Sequence, residues 1–521
     1  MRKSAIAVTL LALGLASLFV TSLAHRVYGS QAASPNVRAF SEVFAIVERQ
    51  AFHDKSRKDL VEGSIYGMLR MLDPHTHYLD ADTYSRMTAE QTGAFGGIGV
   101  SFDIRDGYPT VISPIEGTPA HAAGIRSGDR IVKINGAPTD GMSSSDVINK
   151  LRGQEGTSVT ISILRIGWAE AKDITLVRDT IPLKSVPYAF MIRSGTGYVR
   201  VTNFSSTTAK ELREAVEALA KKGMKHLLLD FRGNPGGLLN AAVEVSDLLL
   251  PEGRLIVYTR GRIPGSDLEF KASKASESRL RTDVPLVILT NGGTASASEI
   301  VAGAVQDWDR GLVVGTDTFG KGLVQRLYPV REGALQVTTA QYYTPSGRSI
   351  QRPYHARYRQ AAAGEATPAE EIFYSNAGRQ VKGGGGIHPD IEVEFESTLT
   401  PVTEKLEADQ VFFKFAVQWT SAEDRSKLKE DFAVTEQIFQ GFAEHMRSAG
   451  SALPAVLSEK DKDGIRRALK REIATVLWGP EAGFKVQVES QNQVVRALAA
   501  FPEAQALLEL SKGTIRAKAK S

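Results

Sequence analysis

Residues 286–290 read Leu286-Val287-Ile288-Leu289-Thr290, and residues 293–300 read Gly293-Thr294-Ala295-Ser296-Ala297-Ser298-Glu299-Ile300. The first segment is continuously apolar, which is typical of a strand buried on both faces of an α/β layer structure. The second opens a helix predicted over residues 296–308, so it forms a turn from strand to helix. Main-chain N–H groups and the positive end of the helix dipole are available at such a turn. A nucleophile placed there gains a site for an oxyanion.

Two interpretations of Ser296 are open from this segment. Ser296 is a candidate nucleophile because of its position in the turn. Alternatively, Ser296 and Glu299 form a Ser-x-x-Glu capping box, which only starts the helix. The local sequence by itself favours the capping box.

A second turn follows another buried strand, Leu227-Leu228-Leu229. It reads Asp230-Phe231-Arg232-Gly233-Asn234-Pro235-Gly236-Gly237. Its three glycines let main-chain amides approach a ligand closely. The alternative is a plain helix-entry turn.

A third segment flanks one lysine with glycines, Thr318-Phe319-Gly320-Lys321-Gly322-Leu323-Val324-Gln325. A lysine at a strand end with no nearby acid can be desolvated and held neutral, as a general base requires. The spacing of four residues puts Gln325 on the same face as Lys321 if the segment is extended. A solvated loop cation is the alternative for Lys321.

The pattern around these turns predicts the organisation of the chain. Strands alternate with helices over residues 185–400, interrupted by a polar stretch at 353–386 that we interpret as a surface insertion. Short strands with Gly-rich turns, including the tight-turn signal Asn135-Gly136, predict a β-rich domain over 91–180. Residues 36–90 and 401–521 have the apolar spacing of helices.

Composition excludes several classes of protein. Hydrophobic residues make up 42% and charged residues 23% of 521 residues, so neither a disordered chain nor a polytopic membrane protein fits. A net charge of +4 gives no whole-chain field for nucleic acid. The count of 0 cysteines removes thiol nucleophiles and Cys-ligated metals. His75 and His77 lack carboxylates at ligand spacing, so we assign no metal.

The N-terminus predicts export. Arg2 and Lys3 precede an apolar run from Ala5 to about Val20, and Ser22-Leu23-Ala24 supplies small residues at a cleavage site. The run is also about long enough to span a bilayer. Residues 1–30 are therefore a signal peptide or a single membrane anchor, which places the protein in the periplasm or cell envelope.

The motifs together resemble the C-terminal processing peptidases, also called tail-specific proteases. The resemblance covers roughly residues 36–395 and is highly specific, because its motifs occur in one order along the chain. They are Leu72-Asp73-Pro74-His75, Phe95-Gly96-Gly97-Ile98-Gly99, Gly233 to Gly237, Ala295 to Ala304, Thr318 to Gln325, Tyr343-Thr344-Pro345-Ser346-Gly347 and Gly386-Ile387-His388-Pro389-Asp390.

The resemblance implies a serine-lysine peptidase that needs no cofactor. Its fold would be a crotonase-like α/β core with an inserted PDZ domain, an N-terminal helical segment and a C-terminal helical region. By position, Ser296 falls on the nucleophile, Lys321 on the general base and Gln325 on the residue that orients the lysine. The amides of Ala297 and of Gly236 or Gly237 are the expected oxyanion donors. Thr294 departs from the family, which usually has serine there, and we expect the change to alter local hydrogen bonding only.

The β-rich domain also fits this family. The loop Gly97, Ile98, Gly99 and Val100 resembles one that captures a peptide carboxylate, after which the peptide adds as a strand to the sheet edge. A Gly-rich hairpin that binds nothing is the alternative. Ile148 and Leu151 are expected to line the groove. Arg152 resembles a position that senses an occupied groove, or it is a surface arginine at a helix end.

We therefore expect an exported endopeptidase that recognises exposed C-termini of protein substrates through its PDZ domain. The rival hypotheses are a catalytically silent PDZ adaptor and acyl-CoA chemistry on the crotonase-like core. An export signal argues against the acyl-CoA enzyme, and the combination of Ser296, Lys321 and Gln325 argues against the adaptor. The helical regions are candidates for contacts between copies of the chain.

Overall fold

The computed structural model describes residues 35–273, 280, 283–353, 371–422 and 428–518. The predicted export segment, residues 1–30, lies outside this range. The chain divides into two compact units, one formed by Met1–Leu79 with Leu327–Val337 and the other by Asp80–Arg326 with Thr338–Ser521.

The described part of the first unit is mainly helical. Ser56 caps its second helix, because its hydroxyl accepts from the Asp59 N–H at 3.0 Å. The hydroxyl of Tyr78 donates to the carbonyl oxygen of Glu332 at 2.9 Å. No residue of the first helix is buried. The elements are α1 (Pro35–Gln50), α2 (Arg57–Leu69) and β1 (His77–Asp80).

The inserted β-rich domain begins after a helix of the second unit. Its antiparallel sheet has the order β3-β4-β5-β7-β8, with β6 beside β5, so β3 is an edge strand. Strands β2 and β9 pair with each other and form a ribbon where the chain enters and leaves the domain. The elements are α3 (Ala81–Thr92), β2 (Ala94–Gly97), β3 (Val100–Arg105), β4 (Tyr108–Pro114), α4 (Pro119–Ala122), β5 (Arg130–Ile134), β6 (Ala137–Pro138), α5 (Ser144–Leu151), β7 (Ser158–Leu164), β8 (Lys172–Val177) and β9 (Asp179–Pro182).

The main sheet follows the inserted domain. Its order is β10-β11-β12-β15-β16-β21, and every pair except β10 with β11 is parallel. Three helices, α6, α7 and α8, connect its strands. The elements are β10 (Tyr188–Arg193), β11 (Thr196–Arg200), α6 (Thr208–Lys221), β12 (His226–Asp230), α7 (Leu239–Leu249), β15 (Leu286–Thr290), α8 (Ala297–Asp307), β16 (Leu312–Gly315) and β21 (Ile391–Glu392).

Both faces of the main sheet are buried, as its apolar strands predict. Leu227 and Leu229 belong to a cluster with residues of α6, α7 and α8. Leu228, between them, belongs to a second cluster with Val494 and Phe501. The end of the C-terminal helical region is therefore the second helical layer of the core. Its helices are α13 (Pro480–Glu489), α14 (Asn492–Ala499) and α15 (Phe501–Lys518).

A second, antiparallel sheet completes the core. β18 pairs with β13, β13 pairs with β14, and β17 pairs with β18. The sheet has five strands, because β1 also pairs with β18. The other four are β13 (Leu255–Gly261), β14 (Leu268–Lys271), β17 (Leu323–Val330) and β18 (Gly333–Tyr343).

The described part of the predicted surface insertion at 353–386 is residues 371–386. Strands β19 (Ile372–Tyr374) and β20 (Gln380–Lys382) form a hairpin. Arg379, in its turn, forms ion pairs with Asp309 at 2.7 Å and with Asp390 at 2.5 Å. The end of the insertion is thus fixed to the core, which its polar composition did not indicate.

The remaining C-terminal helices form their own apolar core. Phe412 and Phe415 of one helix pack with Phe442 and with Ile465 and Leu469. Of the described helices, none is both long and apolar enough to cross a bilayer. These four helices are α9 (Pro401–Ala408), α10 (Val411–Ala422), α11 (Glu436–Ser448) and α12 (Glu459–Trp478).

Candidate active site

Ser296 stands at the predicted strand-to-helix turn, directly before α8. Its φ of 55° and ψ of −114° are strained for a residue with a side chain. A nucleophile in α/β hydrolases is exposed by a similarly strained turn. Ser296 is partly exposed, whereas Ser298 is fully buried and its hydroxyl donates to the carbonyl oxygen of Asn234 at 3.1 Å. Of these two serines, only Ser296 has surface that solvent reaches.

Thr294, the departure from the family pattern, is buried and holds the turn. Its hydroxyl donates to the carbonyl oxygen of Phe231 at 2.9 Å and accepts from the Asn291 N–H at 3.0 Å. A serine hydroxyl offers the same donor and acceptor. The substitution therefore keeps these local hydrogen bonds available.

Lys321 lies two residues before β17 and Gln325 lies within it, and their side chains meet, as their spacing predicts. The Nζ of Lys321 donates to Oε1 of Gln325 at 2.7 Å. Both side chains are partly exposed. Gln325 therefore fixes the direction of the lysine side chain.

Two buried groups join the Ser296 turn to the Lys321 loop. Oε2 of Glu299 accepts from the main-chain N–H of Ser296 at 2.7 Å and from that of Lys321 at 3.0 Å. The hydroxyl of Tyr342 lies 2.9 Å from the carbonyl oxygen of Ser296 and 2.5 Å from that of Lys321. Burial and the nearby Glu299 carboxylate hold the pKa of Tyr342 well above its usual value, so it stays protonated. The backbones of the two candidate catalytic residues are thus fixed to each other.

The glycine turn after β12 lies against Ser296. The side chain of Asn234 organises it, since Nδ2 donates to the carbonyl oxygen of Val201 at 3.0 Å and Oδ1 accepts from the Gly236 N–H at 2.9 Å. The main-chain N–H groups of Gly237 and Ala297 have no hydrogen-bond acceptor among the described residues. Gly237 is therefore better placed than Gly236 to offer a free donor.

A charged network anchors the start of this turn. Asp230 is fully buried and accepts from Arg200 at 2.8 Å, from Arg232 at 2.6 Å and from the Tyr198 hydroxyl at 2.5 Å. Burial opposes the charge of Asp230, but the two guanidinium groups outweigh it and hold the pKa of the carboxyl below its usual range. Arg232 also donates to Oε1 of Gln493 on α14 at 3.0 Å. The C-terminal layer thus contacts the segment that positions the glycines.

A cavity of about 380 Å³ adjoins the site. Gln325 and Leu238, which follows Gly237, both form part of its wall. Most of the remaining wall is apolar, with Leu268, Phe270 and Val324. The cavity can receive an apolar side chain beside Gln325.

The predicted peptide-binding residues belong to one end of the inserted domain. Ile98 and Leu151 are buried in its core, where Val100 packs against the same cluster. Ile148 on α5 is partly exposed. Gly99 has a φ of 80°, and a β-carbon there would stand 2.3 Å from the side chain of Thr118. Only glycine fits this bend before edge strand β3.

Gly97 and Arg152 lie at the entry ribbon of the same domain. Gly97 ends β2 and pairs with Asp179 of β9. The guanidinium carbon of Arg152 lies 4.1 Å from the centre of the Phe95 ring, also in β2. The structure thus places Arg152 against the ribbon between the two domains.

Several residues of the site were missed by sequence reasoning. Glu299 was interpreted only as a helix cap, and neither Thr318 nor Tyr342 received a role. The motif that contains Asn234 assigns no role to its side chain. The described residues contain no group of three His, Asp or Glu side chains that could hold a metal ion.

A strained, partly exposed serine and a lysine oriented by a glutamine lie on the α/β core, and a β-rich domain is inserted before that core. Residues 195–355 match peptidase family S41, and residues 110–165 match the PDZ domain. A carboxy-terminal-processing protease of Bartonella bacilliformis is 40% identical over 341 residues, which are 64% of this chain and 77% of that protein. The carboxy-terminal processing protease CtpA of Bacillus subtilis is 36% identical, with 64% and 72% covered. The chain belongs to the carboxy-terminal processing proteases of family S41.

Family membership confirms the predicted serine peptidase with its inserted PDZ domain. The α/β fold with helices at both ends is confirmed by the strand order described above. Among solved structures, a photosystem II D1 C-terminal processing protease is 27% identical, covering 72% of this chain and 92% of that one with a TM-score of 0.35. The PDZ domain of a carboxy-terminal protease from Vibrio cholerae is 29% identical over 17% of this chain and 99% of that domain, with a TM-score of 0.17.

Proposed function

We propose that the protein cleaves peptide bonds through an acyl-enzyme formed on Ser296, with Lys321 as the general base. The observation that carries the proposal is the strained, accessible Ser296 turn fixed to a loop whose lysine is oriented by Gln325 at 2.7 Å. Neutral Lys321 takes the proton from Oγ as this oxygen attacks the scissile carbonyl carbon. The lysine then returns the proton to the leaving amine, and water hydrolyses the acyl-enzyme.

The free N–H groups of Gly237 and Ala297 support an oxyanion site in this mechanism. Donors aimed at the developing negative charge stabilise the transition state more than the ground state. Gly236 packs against Ser296. Its own N–H donates to the Asn234 side chain and is therefore not free for an oxyanion. The apolar cavity beside Gln325 is suited to the substrate side chain next to the cut bond.

We propose that protein C-termini reach this site through the PDZ domain. Edge strand β3 and helix α5 border the place where an extended peptide would add to the sheet. The glycine bend at Gly97 to Val100 is suited to receive the terminal carboxylate through main-chain N–H groups.

The sequence of residues 2–24 supports a location outside the cytoplasm, in the periplasm or cell envelope. Either a cleaved signal peptide or a membrane anchor follows from this pattern. N-terminal sequencing of the fractionated protein distinguishes them. Association of copies through the helical regions stays a prediction.

The test of the chemistry is cleavage of a disordered protein with an apolar C-terminus. We expect Ser296→Ala to lower turnover by several orders of magnitude. The matched control is Ser298→Ala, which loses one buried hydrogen bond worth about 1 kcal/mol and should keep substantial activity. Equal activity of Ser296→Ala and the wild type would contradict the assignment, and no cleavage by the wild type would favour the silent adaptor.

A further inference from the structure

We propose that Glu299 is a positioning residue of the peptidase site, whose carboxylate holds the Ser296 turn and the Lys321 loop in register. The inference rests on the proposed Ser296 and Lys321 chemistry. It gives a mechanistic role to a residue that sequence reasoning treated only as a helix cap.

One carboxylate oxygen of Glu299 accepts the hydrogen bond that a capping box requires and also accepts a second hydrogen bond. Oε2 accepts from the Ser296 N–H at 2.7 Å, which is the contribution of a capping residue. The same oxygen accepts from the N–H of Lys321 at 3.0 Å. A cap for α8 needs no contact with a loop 22 residues further along the chain.

The other oxygen lies entirely outside the capping function. Oε1 accepts from the Thr318 hydroxyl at 2.5 Å and from the Gly320 N–H at 2.8 Å. The Thr318 hydroxyl in turn accepts from the Ile387 N–H at 2.6 Å. The carboxylate therefore ties together the nucleophile turn, the base loop and the Gly386-Ile387 segment.

The residues around the hydrogen bonds between Glu299 and Thr318 are closely packed. A β-carbon on Gly386 would stand 2.7 Å from the carbonyl oxygen and from the hydroxyl of Thr318. Glu299 itself is fully buried. The Gly-Ile motif after the insertion is thus explained by close packing against the residue that contacts Glu299.

Ionised Glu299 fits its four donors better than any neutral replacement. Burial raises the pKa of Glu299, and the hydrogen bonds from Thr318 and the three main-chain N–H groups oppose this rise. A glutamine would turn an NH₂ group toward at least one of these donors. One of the two loops would then lose its acceptor and be pushed away.

The test uses two conservative variants measured beside wild type. Glu299→Asp keeps an acid that can still cap α8, but its shorter side chain cannot reach both the Ser296 and the Lys321 sides. Glu299→Gln keeps the length and loses one acceptor. We expect both to lower kcat by about 10- to 100-fold with KM within about twofold, because a displacement near 1 Å is enough for such a loss. We also expect the midpoint of the pH profile of kcat to shift, since the lysine moves relative to the serine.

A control separates positioning from capping. Asp461 closes a capping box with Ser458 at the start of α12, away from the site. Asp461→Asn should lower the thermal midpoint without changing kcat or its pH profile. If Glu299→Asp behaves in the same way, Glu299 is only a cap and the proposal is overturned.

Thr318 provides a second test that leaves the helix cap intact. Thr318→Val removes the hydroxyl between Glu299 and Ile387, and we expect kcat to fall several-fold, with recovery in Thr318→Ser. If Ser296→Ala is inactive, unchanged kcat in either Thr318→Val or Glu299→Asp overturns the inference. Retained activity in Ser296→Ala overturns the proposed chemistry instead, so the two failures are distinct.

Discussion

Gly236 lies directly against Ser296: a β-carbon on Gly236 would stand 2.8 Å from the Cβ of Ser296. The same atom would be 2.9 Å from the N–H nitrogen of Ala297 and 2.7 Å from the carbonyl oxygen of Ala295. Three of these four residues belong to the nucleophile turn itself. The glycine turn after β12 and the turn before α8 are therefore one packed unit.

The contact between Gly236 and Ser296 predicts that a single methyl group added at Gly236 strongly lowers kcat. Gly236→Ala should push the Ser296 turn away from the glycine turn and lower kcat by about 100-fold or more. Gly292, in the same region, is the matched control because a β-carbon there meets nothing within 4 Å. Gly292→Ala should keep wild-type kinetics with the same peptide substrate. Wild-type activity in Gly236→Ala would show that the two turns separate freely.

The second prediction concerns the charge of Lys321. A lysine acts as a base only when it is neutral, so kcat should rise with pH. Lys321→Ala should abolish this dependence together with most of the activity. Gln325→Ala should lower kcat less, because the base remains and only its orientation is lost.

The measurement is the rate of peptide cleavage at several pH values between about 6 and 10. Lys321→Arg is the control for charge, since arginine keeps the cation and cannot be deprotonated in this range. An active Lys321→Arg, or a wild-type rate that does not change with pH, would exclude the lysine as base.

Sequence reasoning was most successful where contacts are local. The apolar run Leu286 to Thr290 predicts strand β15, and the turn after it predicts helix α8. The spacing of Lys321 and Gln325 predicts their shared face, because alternation in an extended chain depends only on neighbours.

Contacts between distant segments escaped the same reasoning. Tyr342 reaches Ser296 from β18, and nothing in its neighbourhood indicates this contact. The apolar face of α14 indicates that this helix is buried. It does not indicate that the helix packs against the main sheet as a second helical layer. The sequence indicates the contact of Glu299 with nearby Ser296. It does not indicate the contacts of Glu299 with Thr318, Gly320 and Lys321, which belong to a distant segment.

The third prediction concerns stability and pH. Asp230 is buried with a lowered pKa, so its ionised form stabilises the fold above the pKa of the unfolded carboxyl, about 3.9. Asp230→Asn leaves Arg200 and Arg232 with no buried counter-charge from this residue. We expect it to lower the free energy of unfolding by about 3–5 kcal/mol at pH 7.

The sign of the pH dependence follows from linkage. As pH falls through the folded-state pKa of Asp230, wild type loses this stabilisation and the variant does not. The difference in the free energy of unfolding between wild type and Asp230→Asn should therefore become smaller below about pH 4. Urea unfolding at several pH values measures it, and a difference that stays constant down to acid pH would show that Asp230 is not ionised in the native protein.

The last prediction concerns the coupling of the PDZ domain to the peptidase. Arg152 follows α5, which borders the proposed peptide groove, and its guanidinium carbon lies 4.1 Å from the centre of the Phe95 ring. Phe95 belongs to the ribbon of β2 and β9, through which the chain enters and leaves the PDZ domain. A bound tail that shifts α5 would thus act on the ribbon through this stacking, and we expect it to favour one of two domain positions.

Arg152→Ala should therefore lower kcat for a tail-bearing substrate, while tail affinity, measured in a Ser296→Ala background, changes far less. Phe95→Leu should have the same effect, because it removes the ring and keeps an apolar side chain in β2. Arg126, an exposed arginine of the same domain, is the control, and Arg126→Ala should leave both quantities unchanged. If turnover stays at the wild-type value in Arg152→Ala, the stacking carries no signal and the PDZ domain serves only as a tether. If affinity and turnover fall together, Arg152 is a peptide-binding residue and the ribbon has no part in gating.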